Sequence, residues 1–356
     1  MRVLIPTLGS IGDLMPFLAV AQALRERRHE VIIASHAGYA PLVQRAGFGF
    51  GVIWDAMPAP LDDLLEQAPD QAWARIHGEL FGAAAAPTAA FIRHAGAVRD
   101  CVVLASWSAF GAVGACRDMG LPLIRVCLSP FAVHEAMQAA GGAAPSWLGF
   151  FPDWFCAPQP DWPDIRLTGF PALDDKLVPQ LDPGVEDFLR AGPAPILFTP
   201  GSYQRRSSEF FAHSLECCRA LDRRAIFLTP YADQVPAPLP DRILHVKYAP
   251  LHRLAPRAAA LVHHGGIGTL AQGLRAGVPQ IAVPLFFDQF DNARRLAALG
   301  AGRDLPASAY DTGTACRALE AILHDRDIRE RCRQIRSRFP GRDPATDIAE
   351  LLEARA

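Results

Sequence analysis

Short apolar runs of strand length alternate with segments of helical spacing along most of this chain, and that alternation restricts the fold more than any other feature. "RVLIPT" has the pattern of a buried strand and "GSIGD" that of a turn. "LMPFLAVAQALRER" then sets Leu14, Phe17, Leu18, Ala21 and Leu24 on one helical face. "HEVIIAS" reads as a second strand, so the chain opens as a βαβ unit. "CVVLAS", the helix "SAFGAVGACRDMG", the strand "PLIRVCLS" and the strand "IRLTG" continue the series. Strands that alternate with helices predict parallel sheets covered by helices on both faces.

The rhythm breaks at "FPALDDKLVPQLDPG", which has Pro and Asp but no apolar period, and then restarts. "PILFTPGS", "RAIFLT", "ILHVKYA", "AALV" and "PQIAVPL" read as strands or strand-turns, "EFFAHSLECCRAL" as a helix, and "DPATDIAELLEARA" as a terminal helix. At roughly 150 residues per domain, 356 residues suit two domains. The expected division is an N-terminal domain over 1–170, a linker over 171–190 and a C-terminal domain over 191–342, with the helix over 343–356 packing back on the first domain. Each half has a strand ending in a glycine turn near its start, at Gly9 and Gly201. Two doubly wound α/β domains result, and such sheets bind ligands at the carboxyl ends of their strands.

Composition narrows the function. Half the residues are hydrophobic and a fifth are charged, which is a globular balance. The formal charge of −2 lacks the basic footprint of a nucleic-acid binder. Eight cysteines show neither C-x-x-C nor zinc spacing, so buried free thiols in a reducing cytoplasm are expected. The first residues are broken by Pro, Gly and Asp too early for a secretory core, and "LFGAAAAPTAAFI" is too short to span a bilayer. The expected location is cytoplasmic, with membrane contact peripheral at most.

The segment "LVHHGGIGTL" sits between a strand and a helix and carries His263, His264, Gly265, Gly266 and Gly268. The first amides of a helix lack intrahelical partners and lie at the positive end of its dipole, so such a turn suits an anion. The glycines equally suit a plain tight turn with half-buried histidines. Farther on, Asp288, Gln289 and Asn292 follow a strand and would project from the same sheet edge. A carboxylate beside a carboxamide suits vicinal sugar hydroxyls, since one only accepts and the other donates and accepts. The competing reading makes Asp288 a helix cap and Gln289 a solvated side chain. The turn after the first strand, "LGSIGDL", has no G-x-G-x-x-G, and "IIASH" lacks the acidic residue that holds a ribose, which argues against a nicotinamide enzyme. A Walker motif is also missing.

The run "HGGIGTLAQGLRAGVPQIAVPLFFDQFDN" resembles the donor signature of family 1, UDP-glycosyltransferase-like enzymes of the GT-B fold. Within that family it resembles most the bacterial branch of rhamnosyltransferases and of sterol and antibiotic glycosyltransferases. "GSIGDLMPFLAVAQAL" and "FTPGS" match further motifs of that branch. The resemblance implies two Rossmann-like domains facing across a cleft and an inverting, metal-independent transferase with no cofactor. It would move a hexose or deoxyhexose from a UDP- or TDP-sugar to a hydroxyl of a hydrophobic acceptor. By the same resemblance, His264 with Gly265, Gly266, Gly268 and Thr269 would hold the donor pyrophosphate, joined by Ser202. Tyr248 would stack on the base, and Asp288 and Gln289, with Asn292 close by, would grip the sugar.

Gln272 stands where many relatives place a ribose-binding glutamate, which leaves a thymidine-type donor open. "SWLGFFPDWF" is short where relatives carry a longer helical insertion toward the acceptor. Asp13 stands where relatives have His or Asp in G-[HD]-x-x-P and is the expected base, with an ordinary carboxylate pKa near 4. Its other reading is an N-cap for a helix starting at Leu14. Apolar residues of "LFGAAAAPTAAFI", "SWSAFGA" and "SPFAVHEAMQ" are candidates for an acceptor pocket. A nucleotide-sugar epimerase of the same architecture and a nucleotide-binding protein without transferase activity are the alternatives.

Overall fold

The computed structural model describes residues 1–55, 72, 74–139, 146–172, 180–202, 204, 206–339 and 341–355. The chain forms two compact units, Met1–Leu177 with Gly341–Ala356, and Val178–Pro340.

The first unit holds a seven-stranded sheet: β1 (Arg2–Pro6), β2 (Glu30–His36), β3 (Gly49–Trp54), β4 (Cys101–Ser106), β5 (Leu123–Cys127), β6 (Ser146–Gly149) and β7 (Ile165–Leu167). Its order is β3-β2-β1-β4-β5-β6-β7, and every pairing is parallel. Helices cover both faces, so the central strands carry no polar face: Val3, Leu4 and Ile5 of β1 and Val102, Val103, Leu104 and Ala105 of β4 are wholly buried. The first helix, Ile11–Glu26, buries Leu14, Phe17, Leu18, Ala21 and Leu24, the face its spacing predicts. It begins three residues before Leu14, with Ser10 as its N-cap.

The last helix, Pro344–Glu353, packs on Ile11–Glu26 and buries Ile348, Ala349 and Leu352. Arg27 fixes its end, donating from Nε to Glu353 Oε1 at 2.8 Å and from Nη2 to Glu353 Oε2 at 2.5 Å, while His29 Nε2 meets Oε1 at 2.6 Å.

The second unit repeats the topology with six strands: β8 (Ile196–Thr199), β9 (Ala225–Leu228), β10 (Ile243–Val246), β11 (Ala260–His263), β12 (Gln280–Ala282) and β13 (Gly302–Asp304). Their order is β10-β9-β8-β11-β12-β13, all parallel. The stretch read as a linker departs from expectation in its second half. Pro183–Arg190 is a helix capped by Asp182, and it buries Val185 and Leu189 against Leu197, Ile226 and Leu261 of the second core. Its buried face is a single i, i+4 pair, Val185 and Leu189, too short to show a helical period in the letters. Residues 173–179 of that stretch lie outside the described residues. Among the described residues, no helix is long and apolar enough to cross a membrane.

Candidate active site

In each sheet the chain runs outward in one direction through the first three strands and then reverses. β1 and β4 flank the reversal in the first sheet, and β8 and β11 in the second. A crevice for ligands opens outside the carboxyl ends of such strands. The functional turns foreseen in the sequence follow β1, β8 and β11.

β11 ends at His263, paired with Thr199 of β8, and the helix Ile267–Ala276 begins after Gly266. No side chain caps this helix, and its first turn has no acidic residue, so the amides of Ile267, Gly268 and Thr269 keep their capacity for an anion. Gly266, Gly268 and Thr269 are half-buried, and Gly265 is buried.

The His264 ring lies between two glycines. A Cβ on Gly201 would sit 3.0 Å from its Cε1, and a Cβ on Gly266 would sit 2.4 Å from its Nε2. Gly201 also has a φ of +97°, which a side chain would strain. Burial lowers the His264 pKa to about 4, partly opposed by the Thr199 backbone. His264 is therefore neutral near pH 7 and offers a hydrogen bond rather than a charge.

His263 is wholly buried rather than half-buried. Its Nδ1 accepts the Gly265 N–H at 3.1 Å, and burial, with His264 beside it, lowers its pKa to about 3.

Asp288 opens the helix Asp288–Ala298, whose N-cap is Phe287 and not Asp288. Asp288 is half-buried, and its Oδ2 accepts from Asn292 Nδ2 at 2.9 Å. Gln289 is only 6 % exposed, and its Oε1 accepts from the Leu285 N–H at 2.9 Å and the Phe286 N–H at 3.3 Å. Asn292, one turn farther along the same helix, is 0 % exposed.

Ser202 is exposed after β8, and Gln272 is half-buried, with a long 3.4 Å contact from its Nε2 to the Gly268 carbonyl. Tyr248, after β10, is 59 % exposed, more than a packing role would leave. Tyr231, which the sequence reading passed over, follows β9 and donates to the Ser202 carbonyl at 3.4 Å. Its signal was an aromatic at the same sheet edge as Tyr248. Because the strands are parallel, one edge carries in spatial order Tyr248, Tyr231, Ser202, the His264 turn and Asp288.

In the first unit Asp13 is the third residue of the helix and closes a capping box. Its Oδ2 accepts the Ser10 N–H at 2.6 Å and the Ser10 hydroxyl at 2.7 Å. Its pKa is not ordinary: burial raises it above the usual carboxylate range, partly opposed by the two Ser10 bonds.

The three apolar segments of this half converge. His77 and Phe81 lie on Ile76–Gly82, a π-helical stretch, with Trp107 and Phe110 just after β4 and Glu135 on the helix Pro130–Ala139. The His77 ring centroid stands 5.4 Å from Phe81, 5.8 Å from Trp107 and 5.8 Å from Phe110. Its Nε2 lies 3.9 Å from Glu135 Oε2. Burial lowers the His77 pKa against the pull of Glu135. Trp107 and Phe110 share the carboxyl edge of the sheet with the Asp13 turn, since β1 and β4 are parallel neighbours.

Comparison with known proteins agrees with this geometry. Residues 3–143 match the glycosyltransferase family 28 N-terminal domain, and residues 215–354 match the erythromycin biosynthesis protein CIII-like C-terminal domain. The O-mycaminosyltylonolide 6-deoxyallosyltransferase of Streptomyces fradiae is 27% identical over 94% of this chain and 93% of its own length. The L-demethylnoviosyl transferase of Streptomyces niveus is 28% identical over 99% and 98%. The solved spinosyn rhamnosyltransferase superposes with a TM-score of 0.78 at 22% identity, covering 99% of this chain and 100% of that one, and the same enzyme is solved complexed with thymidine diphosphate. With two Rossmann-like sheets, an uncapped glycine turn at the second switch point and sugar transferases matching it along its length, the chain is a glycosyltransferase of the GT-B fold, joining a family 28-type N-terminal domain to an erythromycin biosynthesis protein CIII-like C-terminal domain.

Proposed function

We propose that the protein is an inverting transferase that moves a hexose or deoxyhexose from a TDP- or UDP-sugar to a hydroxyl of a hydrophobic natural-product acceptor. The observation that carries this reading is the His264 turn: a neutral imidazole set between Gly201 and Gly266, at the head of a helix with no side-chain cap and no acidic first turn. The donor diphosphate would lie on the amides of Gly266, Gly268 and Thr269 beside His264 and Ser202. The nucleoside would then reach toward Tyr248, with its ribose near Gln272, and the sugar toward Asp288 and Gln289. Thymidine diphosphate in the spinosyn enzyme's complex supports TDP as the first nucleotide to test.

In the transfer, the acceptor oxygen forms a bond to the anomeric carbon from the face opposite the diphosphate. The bond from that carbon to the diphosphate oxygen breaks, and Asp13 takes the acceptor's proton. Charge that grows on the leaving diphosphate meets the helix amides and the His264 N–H, so no metal is needed to neutralise it. A raised pKa makes Asp13 a stronger base than a free carboxylate, provided it is deprotonated at the working pH.

Calorimetric titration of TDP and UDP into wild type and His264→Ala is the test. One nucleotide should bind and should weaken at least tenfold in the variant, in line with about 1.5–3 kcal/mol for a hydrogen bond to a charged group. Failure of both nucleotides to bind would reject the donor site.

A further inference from the structure

Gly265 is held from two sides. Its N–H donates to His263 Nδ1 at 3.1 Å, and its carbonyl accepts from Asn292 Nδ2 at 3.0 Å. Both side chains are 0 % exposed. The glycine has a φ of +84°, and a Cβ there would lie 3.0 Å from the Gln289 carbonyl, so the turn presses directly against the helix that bears Asn292. Asn292 Nδ2 makes a second bond, to Asp288 Oδ2 at 2.9 Å. Both partners only accept, so the nitrogen must be the atom facing them, and its two hydrogens are both used. One buried amide thus joins the turn proposed for the diphosphate to the carboxylate proposed for the sugar.

We propose that Asn292 is a positioning residue that sets the diphosphate turn and the sugar-binding carboxylate together, so that a change at Asp288 is felt at the diphosphate. The inference rests on the donor-site reading above. It goes beyond that reading in giving Asp288 an effect on a ligand that carries no sugar. If the two subsites were independent, removing the Asp288 carboxylate would leave a bare diphosphate bound as before, or bound more tightly through loss of a negative charge. If they are joined through Asn292, its removal frees the Asn292 amide and loosens the Gly265 peptide. An asparagine at 288 keeps an acceptor oxygen for Asn292 and should preserve the link.

The experiment is calorimetric titration of TDP, with no sugar attached, into wild type, Asp288→Ala, Asp288→Asn and Asn292→Asp. Asp288→Ala should bind the diphosphate severalfold more weakly than Asp288→Asn, as loss of one buried hydrogen bond implies. Asn292→Asp has nearly the same volume but sets acceptor against acceptor at both bonds, and should lose about tenfold or more. Equal affinities for the two Asp288 variants, or wild-type affinity in a folded Asn292→Asp, would overturn the proposal. If Asn292→Asp does not fold, the Asp288 pair decides alone. Failure of the donor reading is seen separately, as absent TDP binding in wild type or no loss in His264→Ala, and would remove the basis of this inference as well.

Discussion

At the scale of single residues, Asp13 and Gly266 give the sharpest expectations. Asp13→Asn keeps a capping acceptor but no base, so kcat should fall about 10²- to 10⁴-fold while diphosphate affinity stays unchanged; stopped-time turnover and calorimetry together check this. Burial raises the Asp13 pKa, and only the deprotonated form accepts a proton, so activity should rise with pH through that raised value. The acid limb of kcat/KM should therefore lie above the ordinary carboxylate range near ~3.9. A limb at or below that value would reject Asp13 as the group being titrated. Gly266→Ala tests His264 differently. Its φ of −60° suits alanine, so the cost is the 2.4 Å approach to Nε2 and not backbone strain. Diphosphate affinity should drop while the melting temperature changes little. The turns at these positions were legible in the sequence, because glycines and short polar side chains between a strand run and a helical period mark a strand-to-helix turn. What could not be read was burial: His263 reads as a half-buried histidine of the turn and Asn292 as a side chain at the sheet edge, yet both are 0 % exposed.

At the scale of elements, the periodicity of the first helix and the strand runs carried over well, because parallel strands buried on both faces leave continuous apolar letters. The shortest pieces were missed. β3 reads "GFGVIW" with two glycines, β6 hides in "SWLGFF", and β13 is only "GRD". "GSIGD" reads as a turn and Asp13 as an N-cap, which starts the first helix three residues late; Ser10 and Asp13 together close the true end.

The terminal helix gives a test at this scale. Arg27 and His29 lower the Glu353 pKa to about 2, so the folded state binds fewer protons there than the unfolded chain, and stability rises with pH through that window. The contribution is present above the unfolded carboxylate pKa near ~4.3 and is lost as pH falls toward about 2. Glu353→Gln should lower the melting temperature at neutral pH, modestly because the pair is partly solvated. The gap from wild type should narrow on acidification, as thermal scans across that range would reveal. A gap independent of pH would mean that Glu353 acts by packing.

At the scale of the whole molecule, the two sheets share one winding order, and that order puts a glycine turn at the reversal point of each. The doubling was visible as an echo between Gly9 and Gly201, but the number of strands in each sheet was not, because the outer strands are too short to show a period. The return of Pro344–Glu353 to the first unit has a practical meaning for anyone building hybrid enzymes from this chain and a relative. The border between the units crosses the sequence twice, at Leu177/Val178 and at Pro340/Gly341, so one splice point does not separate them. A hybrid that takes everything after residue 177 from a relative brings in a foreign tail, which must seat on a native first helix without the matched partners of Arg27 and His29. A hybrid exchanging only residues 178–340 keeps them, and should melt at the higher temperature of the two.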